Sequence, residues 1–184
     1  MKMHEIRIDR DRTLAEEPES GHNRWHPDIA PTVHISSGDR VMLQMRDALD
    51  GQFGPLADVH AVASVDLNLV HPLTGPVFVD GAEAGDLLEV RILDVETDSY
   101  GFSAQIPGFG FLRDLFEEPF LVQWQISEGV ATSVQIPGVT IPGAPFPGIV
   151  TPGICADVAT PSEICHCTRN GSSKRSRRNP NPGI

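Results

Sequence analysis

Three consecutive stretches decide the fold class: FLVQWQI at residues 120–126, SEG at 127–129 and VATSVQI at 130–136. Two β-rich runs joined by a short loop that contains glycine are typical of an antiparallel hairpin. Working outward from this hairpin, the sequence predicts further strands at residues 3–9, 32–35, 40–46, 76–79 and 87–95. Short strands separated by turn residues favour a mainly β fold, either a β-sandwich or a barrel-like arrangement.

Helical patterns are thin, and the end of the chain differs from the rest. Residues 66–70 and 112–116 are each predicted to make a short helical turn. From residue 137 the chain is rich in proline and glycine, which limits ladder hydrogen bonds. Beyond residue 153 neither helical nor strand periodicity appears. We therefore predict a β domain over residues 1–149 and a disordered tail over residues 150–184.

Composition limits which kinds of partner the protein is expected to bind and in which compartment it is expected to lie. The formal net charge is −11, and an acidic body argues against nucleic acid or an anionic membrane as the main partner. All three cysteines lie between residues 155 and 167, so the body can build neither a disulfide framework nor a thiol nucleophile. No run resembles a signal peptide or is long enough to cross a bilayer, so we expect a cytoplasmic protein.

The tail allows three interpretations. Residues 153–184 hold five basic and two acidic side chains. They form a nucleic-acid or targeting tail, an ordinary disordered tail, or an out-of-frame translation. The third fits best, because charge sign, cysteine content and periodicity all change together.

The stretch GHNRWHPD at residues 21–28 concentrates polar chemistry. It places two imidazoles, a guanidinium, an indole and a carboxylate in eight residues. Pro27 disfavours a helical conformation at His26. So much polar chemistry in an irregular segment indicates a functional site, and His26 is a candidate substrate-binding residue.

A second group of imidazoles and carboxylates falls in residues 57–71. Its members are Asp58, His60, Asp66 and His71. Such side chains are able to ligate a divalent metal, zinc or calcium, that would polarise a carbonyl and activate water. The spacing matches no specific zinc signature. Equally, the aspartates cap turns and the histidines are exposed or bond to the backbone.

Four further residues are candidates on loops. Gln52 offers its amide to a polar ligand or ends a simple Asp-Gly turn. Thr74 lies in the rigid HPLTGP loop at 71–76, which suits the presentation of polar groups to a cleft. Glu83 stands between glycines as a functional carboxylate or a solvated turn residue. Phe109 lines an apolar pocket or packs in the core.

Taken together, the motifs resemble the acetamidase/formamidase family of amide hydrolases. The matching pieces, in order, are NRWHPDI at 23–29, GD at 38–39, DGQ at 50–52, Asp66, HPLTGPV at 71–77, GAE at 81–83, GD at 85–86, Leu88, PGFGFL at 107–112, PGV at 137–139 and PF at 145–146. The resemblance implies a β-rich fold, hydrolysis of short aliphatic amides to ammonia and a carboxylate, and a homo-oligomer. Family members are longer and carry a Gly-Asp-x-His-Ala segment and a Gly-Glu pair that this sequence lacks. The resemblance therefore implies a truncated N-terminal part whose set of catalytic groups is incomplete.

An amidase must attack an unreactive carbonyl, stabilise an oxyanion and protonate the leaving ammonia. Without a cysteine in the body, water is the simplest nucleophile. We predict catalytic roles for Asp66, His71 and Glu83, with Asp66 and His71 as metal ligands. Substrate binding is assigned to His26, Gln52, Thr74 and Phe109. The partner is then a small amide, formamide or acetamide.

Two alternatives to an amidase stay open at this point. One is a non-catalytic β-rich module for binding or assembly. The other is a non-functional fragment that associates through unpaired strand edges.

Overall fold

A computed structural model describes residues 1–26, 28–83, 85–148 and 150. Within them the chain forms ten strands, one short α-helix and two 3-10 helices. In chain order these are β1 (Met3–Ile6), the 3-10 helices Leu14–Glu16 and Pro18–Ser20, β2 (Gly21–His22), β3 (Val33–Ile35), β4 (Arg40–Leu43), α1 (Val59–Ala63), β5 (Leu73–Thr74), β6 (Val77–Val79), β7 (Tyr100–Gln105), β8 (Phe120–Ser127), β9 (Val130–Thr132) and β10 (Thr140–Pro142). The predicted mainly β fold with short helical turns is confirmed.

The strands fall into four sheets. Strands β10, β9, β8 and β7 form one antiparallel sheet in that order. The others are two-stranded: β1 with β4 and β3 with β6 are parallel, and β2 with β5 is antiparallel. Although β3 and β4 are joined by a tight turn, with Gly38 at φ 88°, each of them pairs with a distant strand. The sequence located both strands but gave no information on their partners.

The hairpin formed by β8 and β9 follows the sequence prediction. Glu128 and Gly129 have φ of 50° and 73°, the positive values that a two-residue type I′ turn needs at both central positions. Beyond β9 the side chain of Gln135 takes the place of a further strand. It donates to the Leu121 carbonyl at 2.9 Å and accepts from the Gln123 N–H at 2.7 Å. The predicted strand at 130–136 is therefore shorter than expected.

A small core joins the four-stranded sheet to α1 and the loop before it. Its buried members are Leu49, Phe53, Val62 and Leu121. Helix α1 begins where the Asp58 carboxylate accepts from the His60 N–H at 2.9 Å, the usual N-cap bond. This makes Asp58 a helix cap, as one of the two interpretations of the sequence proposed.

Three sequence predictions need comment. The expected strand at 87–95 is wrong: apart from an isolated bridge at Leu87, it joins no sheet within the described residues. The helical turns predicted at 66–70 and 112–116 are hydrogen-bonded turns, whereas α1 was missed. The predicted tail at 150–184 lies, except for Val150, outside the described residues. In the part of the chain that the structure describes, no helix is long and apolar enough to cross a membrane.

Candidate functional site

Two adjoining clefts lie beside the point where the second 3-10 helix passes directly into β2. One has a volume of about 280 Å³ and is lined by Leu14, Ala15, Pro18, Gly21, His22, Asn23, Arg24, Asp50 and Leu69. The other, of about 350 Å³, shares Pro18 and Gly21 with it. The smaller cleft is lined by Asn23 and Arg24 among others, so we call it the Arg24 cleft. Four of its nine lining residues carry polar or charged side chains: His22, Asn23, Arg24 and Asp50.

The position of the Arg24 cleft depends on a close approach of two backbones at Gly21. Strand β2 pairs with β5 so that Gly21 lies opposite Thr74 and His22 opposite Leu73. A Cβ atom at Gly21 would lie 2.3 Å from the Leu73 carbonyl oxygen. Only glycine therefore lets β5 close against β2 at this point.

The wall of the Arg24 cleft is held by a buried group of charges. The Arg46 side chain is 7% exposed and bonds to the Glu17 carboxylate. It also lies 3.5 Å from Asp50 Oδ1, on a carboxylate that is 2% exposed. The second oxygen of Asp50 accepts from the Leu14 N–H at 2.8 Å. One cation and two carboxylates therefore tie the 3-10 helices to the loop after β4.

This charge group was missed by sequence reasoning. Within the described residues, Arg46 Nε and Asp50 Oδ1 are buried without a hydrogen-bond partner. Asp50 also has a positive φ of 54°. The only sequence signals were the Asp-Gly pair at 50–51 and an arginine four residues earlier, neither of which reveals the distant Glu17.

The Asn68 carbonyl oxygen is the junction at which the side chains of two lining residues, Asn23 and Arg24, meet. It accepts from Asn23 Nδ2 at 2.9 Å and from Arg24 Nη2 at 3.1 Å. Arg24 Nη1 also donates to the Asn23 carbonyl at 2.7 Å. These bonds fix the orientation of the guanidinium. A guanidinium has five N–H donors, so others stay available to a ligand.

Asp66 and Gln52, both predicted site residues, lie directly behind this junction. The Asp66 carboxylate accepts from the Asn68 N–H at 2.8 Å and from Asn68 Nδ2 at 2.9 Å. These two bonds hold the pKa of the Asp66 carboxyl below its ordinary value. Both hydrogens of the Gln52 amide are donated to backbone carbonyls, those of Leu49 and Asp66. In this arrangement Gln52 has no amide hydrogen left for a substrate.

Of three other predicted site residues, Thr74 lies in β5, and His71 and Glu83 lie in loops. His71 is exposed, has a φ of 59° and donates its backbone N–H to the Ala48 carbonyl at 2.9 Å. The Thr74 hydroxyl donates to the Gln44 carbonyl at 2.7 Å. Glu83 is exposed, and its N–H donates to the Asp86 carboxylate within the same loop.

His26 and Phe109 are largely accessible to solvent. The His26 side chain is 63% exposed, and its Nδ1 accepts from the Asp28 N–H at 3.3 Å. Phe109 is 55% exposed and its backbone bonds to Ile106. Of the predicted site residues, the structure thus brings Gln52 and Asp66 into contact. The other predicted residues form hydrogen bonds with their own local neighbours.

The described residues do not fit a metal centre at Asp66 and His71. Among residues 1–26, 28–83, 85–148 and 150, no three or more histidine, cysteine, aspartate or glutamate side chains come together as metal ligands would. One oxygen of Asp66, Oδ1, in addition already accepts two hydrogen bonds from Asn68. No catalytic step can therefore be derived through a metal at this pair.

Comparison with known sequences decides the family. The profile described as the Acetamidase/Formamidase family matches residues 7–167. The chain belongs to this family. The match also extends beyond residue 149, where the β domain was expected to end.

Two curated members of the family illustrate the similarity. An acetamidase of Mycolicibacterium smegmatis is 34% identical over 145 residues, which are 72% of this chain and 36% of the relative. A formamidase of Methylophilus methylotrophus is 38% identical over 140 residues, covering 73% of this chain and 34% of the relative. The chain thus spans about a third of the length of these relatives.

Solved structures agree with the family assignment. A gamma lactamase from Delftia acidovorans is 34% identical, with a TM-score of 0.71, and the match covers 76% of this chain and 36% of that one. An acetamidase from Bacillus halodurans is 25% identical, with a TM-score of 0.61, covering 77% of this chain and 42% of that one. The fold of the described residues is therefore that of a part of the family structure.

Proposed function

We propose that this chain supplies part of a hydrolase that cleaves the carbon–nitrogen bond of short linear amides, formamide or acetamide, to a carboxylate and ammonia. The family match over residues 7–167 carries this proposal. A homo-oligomer, a cytoplasmic location and a small amide as the partner, rather than nucleic acid or a membrane, stay predictions that belong to it.

Within the described residues, the Arg24 cleft is the best candidate for the amide-binding site. Arg24 lines a cleft large enough for a small amide, and the orientation of its guanidinium is fixed by Asn68 and Asn23. A pre-oriented N–H donor stabilises the negative charge that develops on the carbonyl oxygen when water attacks. Arg24 is thus proposed as the oxyanion donor.

The proposal assigns Asp66 a different role from the one expected from the sequence. Its pKa is held low by Asn68, so the carboxylate is ionised at neutral pH and has no proton to give to ammonia. It acts as a positioning residue through Asn68. The general acid is then sought among His71, Glu83 and groups outside the described residues. A zinc or calcium ion stays a prediction that requires ligands from outside them.

Ammonia release tests the proposal directly. The purified 184-residue chain is incubated with formamide and with acetamide, while circular dichroism verifies its β structure. Arg24→Ala is expected to lower kcat about 100-fold or more, as loss of one oxyanion donor does. Arg91→Ala, at an arginine that is 76% exposed, is the matched control. Equal rates for the two variants would rule out the role of Arg24.

A non-catalytic module is the second candidate, because one observation favours it. The polar atoms of Gln52, Thr74 and Asp66 bond within the protein, as in a scaffold. A folded chain that releases no ammonia from either amide would support this alternative.

A further inference from the structure

His22 belongs to the Arg24 cleft, and neither the sequence analysis nor the proposed function gives it a role. It is the second residue of β2, where it pairs with Leu73 of β5. It lines the cleft together with Arg24, and it is half-buried. An imidazole is thus held on a strand, partly open to water, at the same cleft as the guanidinium.

A hydrogen bond decides which nitrogen of His22 carries the proton. Nδ1 lies 2.8 Å from the Arg24 carbonyl oxygen. Because a carbonyl oxygen only accepts, Nδ1 must be the donor. In the neutral imidazole the proton is therefore on Nδ1, and Nε2 carries the lone pair. This is the one hydrogen bond of the ring within the described residues, so Nε2 is available there to accept a proton.

The imidazole and the guanidinium are held by the same short segment. The Arg24 carbonyl orients the His22 ring, and Arg24 Nη2 donates to the Asn68 carbonyl at 3.1 Å. Asn23, between them, donates to the same Asn68 oxygen at 2.9 Å. A base and an oxyanion donor must keep a fixed mutual position to act on one substrate. The bonds of residues 22–24 provide that fixed position.

Among the residues that line the Arg24 cleft, His22 is the one able to take a proton from water. The other ionisable lining residues are Arg24 and Asp50. A guanidinium has no acceptor site. The Asp50 carboxylate is 2% exposed, forms an ion pair with Arg46 and accepts from the Leu14 N–H. It is therefore already engaged within the protein.

We propose that His22 is the general base of the amidase reaction, an inference that rests on the proposed function. As the water oxygen bonds to the amide carbon, one water proton moves to Nε2 and the carbonyl oxygen becomes the oxyanion that Arg24 stabilises. The general acid protonates the nitrogen as the carbon–nitrogen bond breaks, which releases ammonia and the carboxylic acid. The imidazolium then returns its proton through solvent to the general acid, and both groups are restored.

Substitution of His22 separates the base from its hydrogen bond. His22→Asn keeps a side-chain N–H donor for the Arg24 carbonyl but removes Nε2. It is expected to lower kcat for formamide or acetamide about 100-fold or more, with little change in KM. In His22→Ala, added imidazole is expected to restore part of the lost rate, because it supplies the missing base. A residue that only supported the fold would not be replaced in this way.

His34 provides a matched control. Its Nδ1 is also bonded, to the Asp80 carboxylate at 3.1 Å, but it lines neither of the two clefts. His34→Asn is expected to keep the original rate, and added imidazole is expected to leave that rate unchanged.

Nitrogen NMR of the histidine rings tests the same assignment without turnover. In the whole 184-residue chain, at a pH where the ring is neutral, His22 is expected to carry its proton on Nδ1. Saturating acetamide is expected to shift the His22 Nε2 signal and to leave the His34 signals in place.

The outcomes distinguish this inference from the proposed function. A neutral His22 ring with its proton on Nε2, or a His22→Asn variant as fast as the original chain, would overturn the role of His22 while amide hydrolysis stands. A chain that releases no ammonia would contradict the proposed function, and the NMR signal then decides. A shift of Nε2 with acetamide supports a base at an amide site, and an unmoved signal overturns it.

Discussion

Gln52 and Asp66 bond to each other in both directions. Gln52 Nε2 donates to the Asp66 carbonyl at 3.1 Å, and the Asp66 N–H donates to Gln52 Oε1 at 2.7 Å. The Gln52 side-chain amide thus pairs with the backbone N–H and C=O of Asp66, as the backbone of a neighbouring strand would. The turn that carries Asn68, and with it Arg24, is held in place by this exchange.

Gln52→Glu is expected to destabilise the protein, because a carboxylate cannot donate to the carbonyls of Leu49 and Asp66. Loss of buried or half-buried partners of this kind costs about 1–3 kcal/mol. Urea denaturation measures the change in the free energy of unfolding. Gln125→Glu, at an exposed position of β8, is the control and is expected to change it by less than about 0.5 kcal/mol. Similar values for both variants would contradict this role of Gln52.

Arg46→Ala is expected to be among the most damaging single changes in the chain. It leaves the carboxylates of Glu17 and Asp50 close together without their cation. Removing one partner of a buried charge group typically costs about 3–5 kcal/mol. The variant is compared by denaturation with Arg91→Ala, whose ion pair is exposed. A loss below about 1 kcal/mol would show that solvent reaches the group.

Gly21→Ala is expected to separate β2 from β5. The added Cβ would lie 2.3 Å from the Leu73 carbonyl oxygen, so one of the two backbones must move. Gly54→Ala is the matched control, because a Cβ there meets nothing within 4 Å. Hydrogen exchange of the Gly75 N–H, which bonds to the Ser20 carbonyl at 3.1 Å, reports the separation. Unchanged protection in the Gly21 variant would mean that the strands adjust without opening.

The environment of Asp39 indicates how the stability of the protein changes in acid. Its carboxylate accepts from the backbone N–H groups of Lys2 and Ser36 and then from the His4 ring, which lowers its pKa from 3.8 to about 2. A depressed pKa stabilises the fold above the unfolded value, and this stabilisation is lost as the pH falls through the folded value. Asp39→Asn is expected to flatten the fall in stability between pH 3.8 and about 2. If the variant loses stability over this pH range as steeply as the original protein does, these hydrogen bonds do not stabilise the fold.

Tyr100 is the single tyrosine of the chain, so its ionisation is read without interference from another tyrosine. Its single hydroxyl hydrogen is shared between the carbonyl oxygens of Phe53 and Gly54, each 3.0 Å from the hydroxyl oxygen. Burial, and then the Asp47 carboxylate, raise the pKa of Tyr100 above 10.0. Ultraviolet titration is expected to give a higher midpoint for the folded chain than for the chain in urea. Stability should fall as the pH rises from the unfolded pKa to the folded one.

Structure that is encoded by adjacent residues was predicted from the sequence, whereas contacts between distant residues were not. The β8–β9 hairpin is encoded in adjacent residues, so its strands and its turn at Glu128 were located correctly. The segment at 87–95 has the same kind of pattern, but a strand also needs a partner, and local sequence does not supply one. The charge group around Arg46 and the junction at Asn68 are likewise contacts between distant residues. These contacts determine the geometry of the Arg24 cleft, which therefore could not be predicted from the sequence.

The two parallel pairs have a consequence for how the chain folds. Strand β3 lies between β1 and β4 along the chain, and β4 lies between β3 and β6, so the pairings interlock. During synthesis the second pair cannot form until residue 79 has left the ribosome. The four-stranded sheet of β7 to β10 contains only antiparallel pairs. Strands that are nearer to each other in sequence pair faster. Nucleation in the second half of the chain, followed by slower closure of the first half, is the folding order that this topology favours.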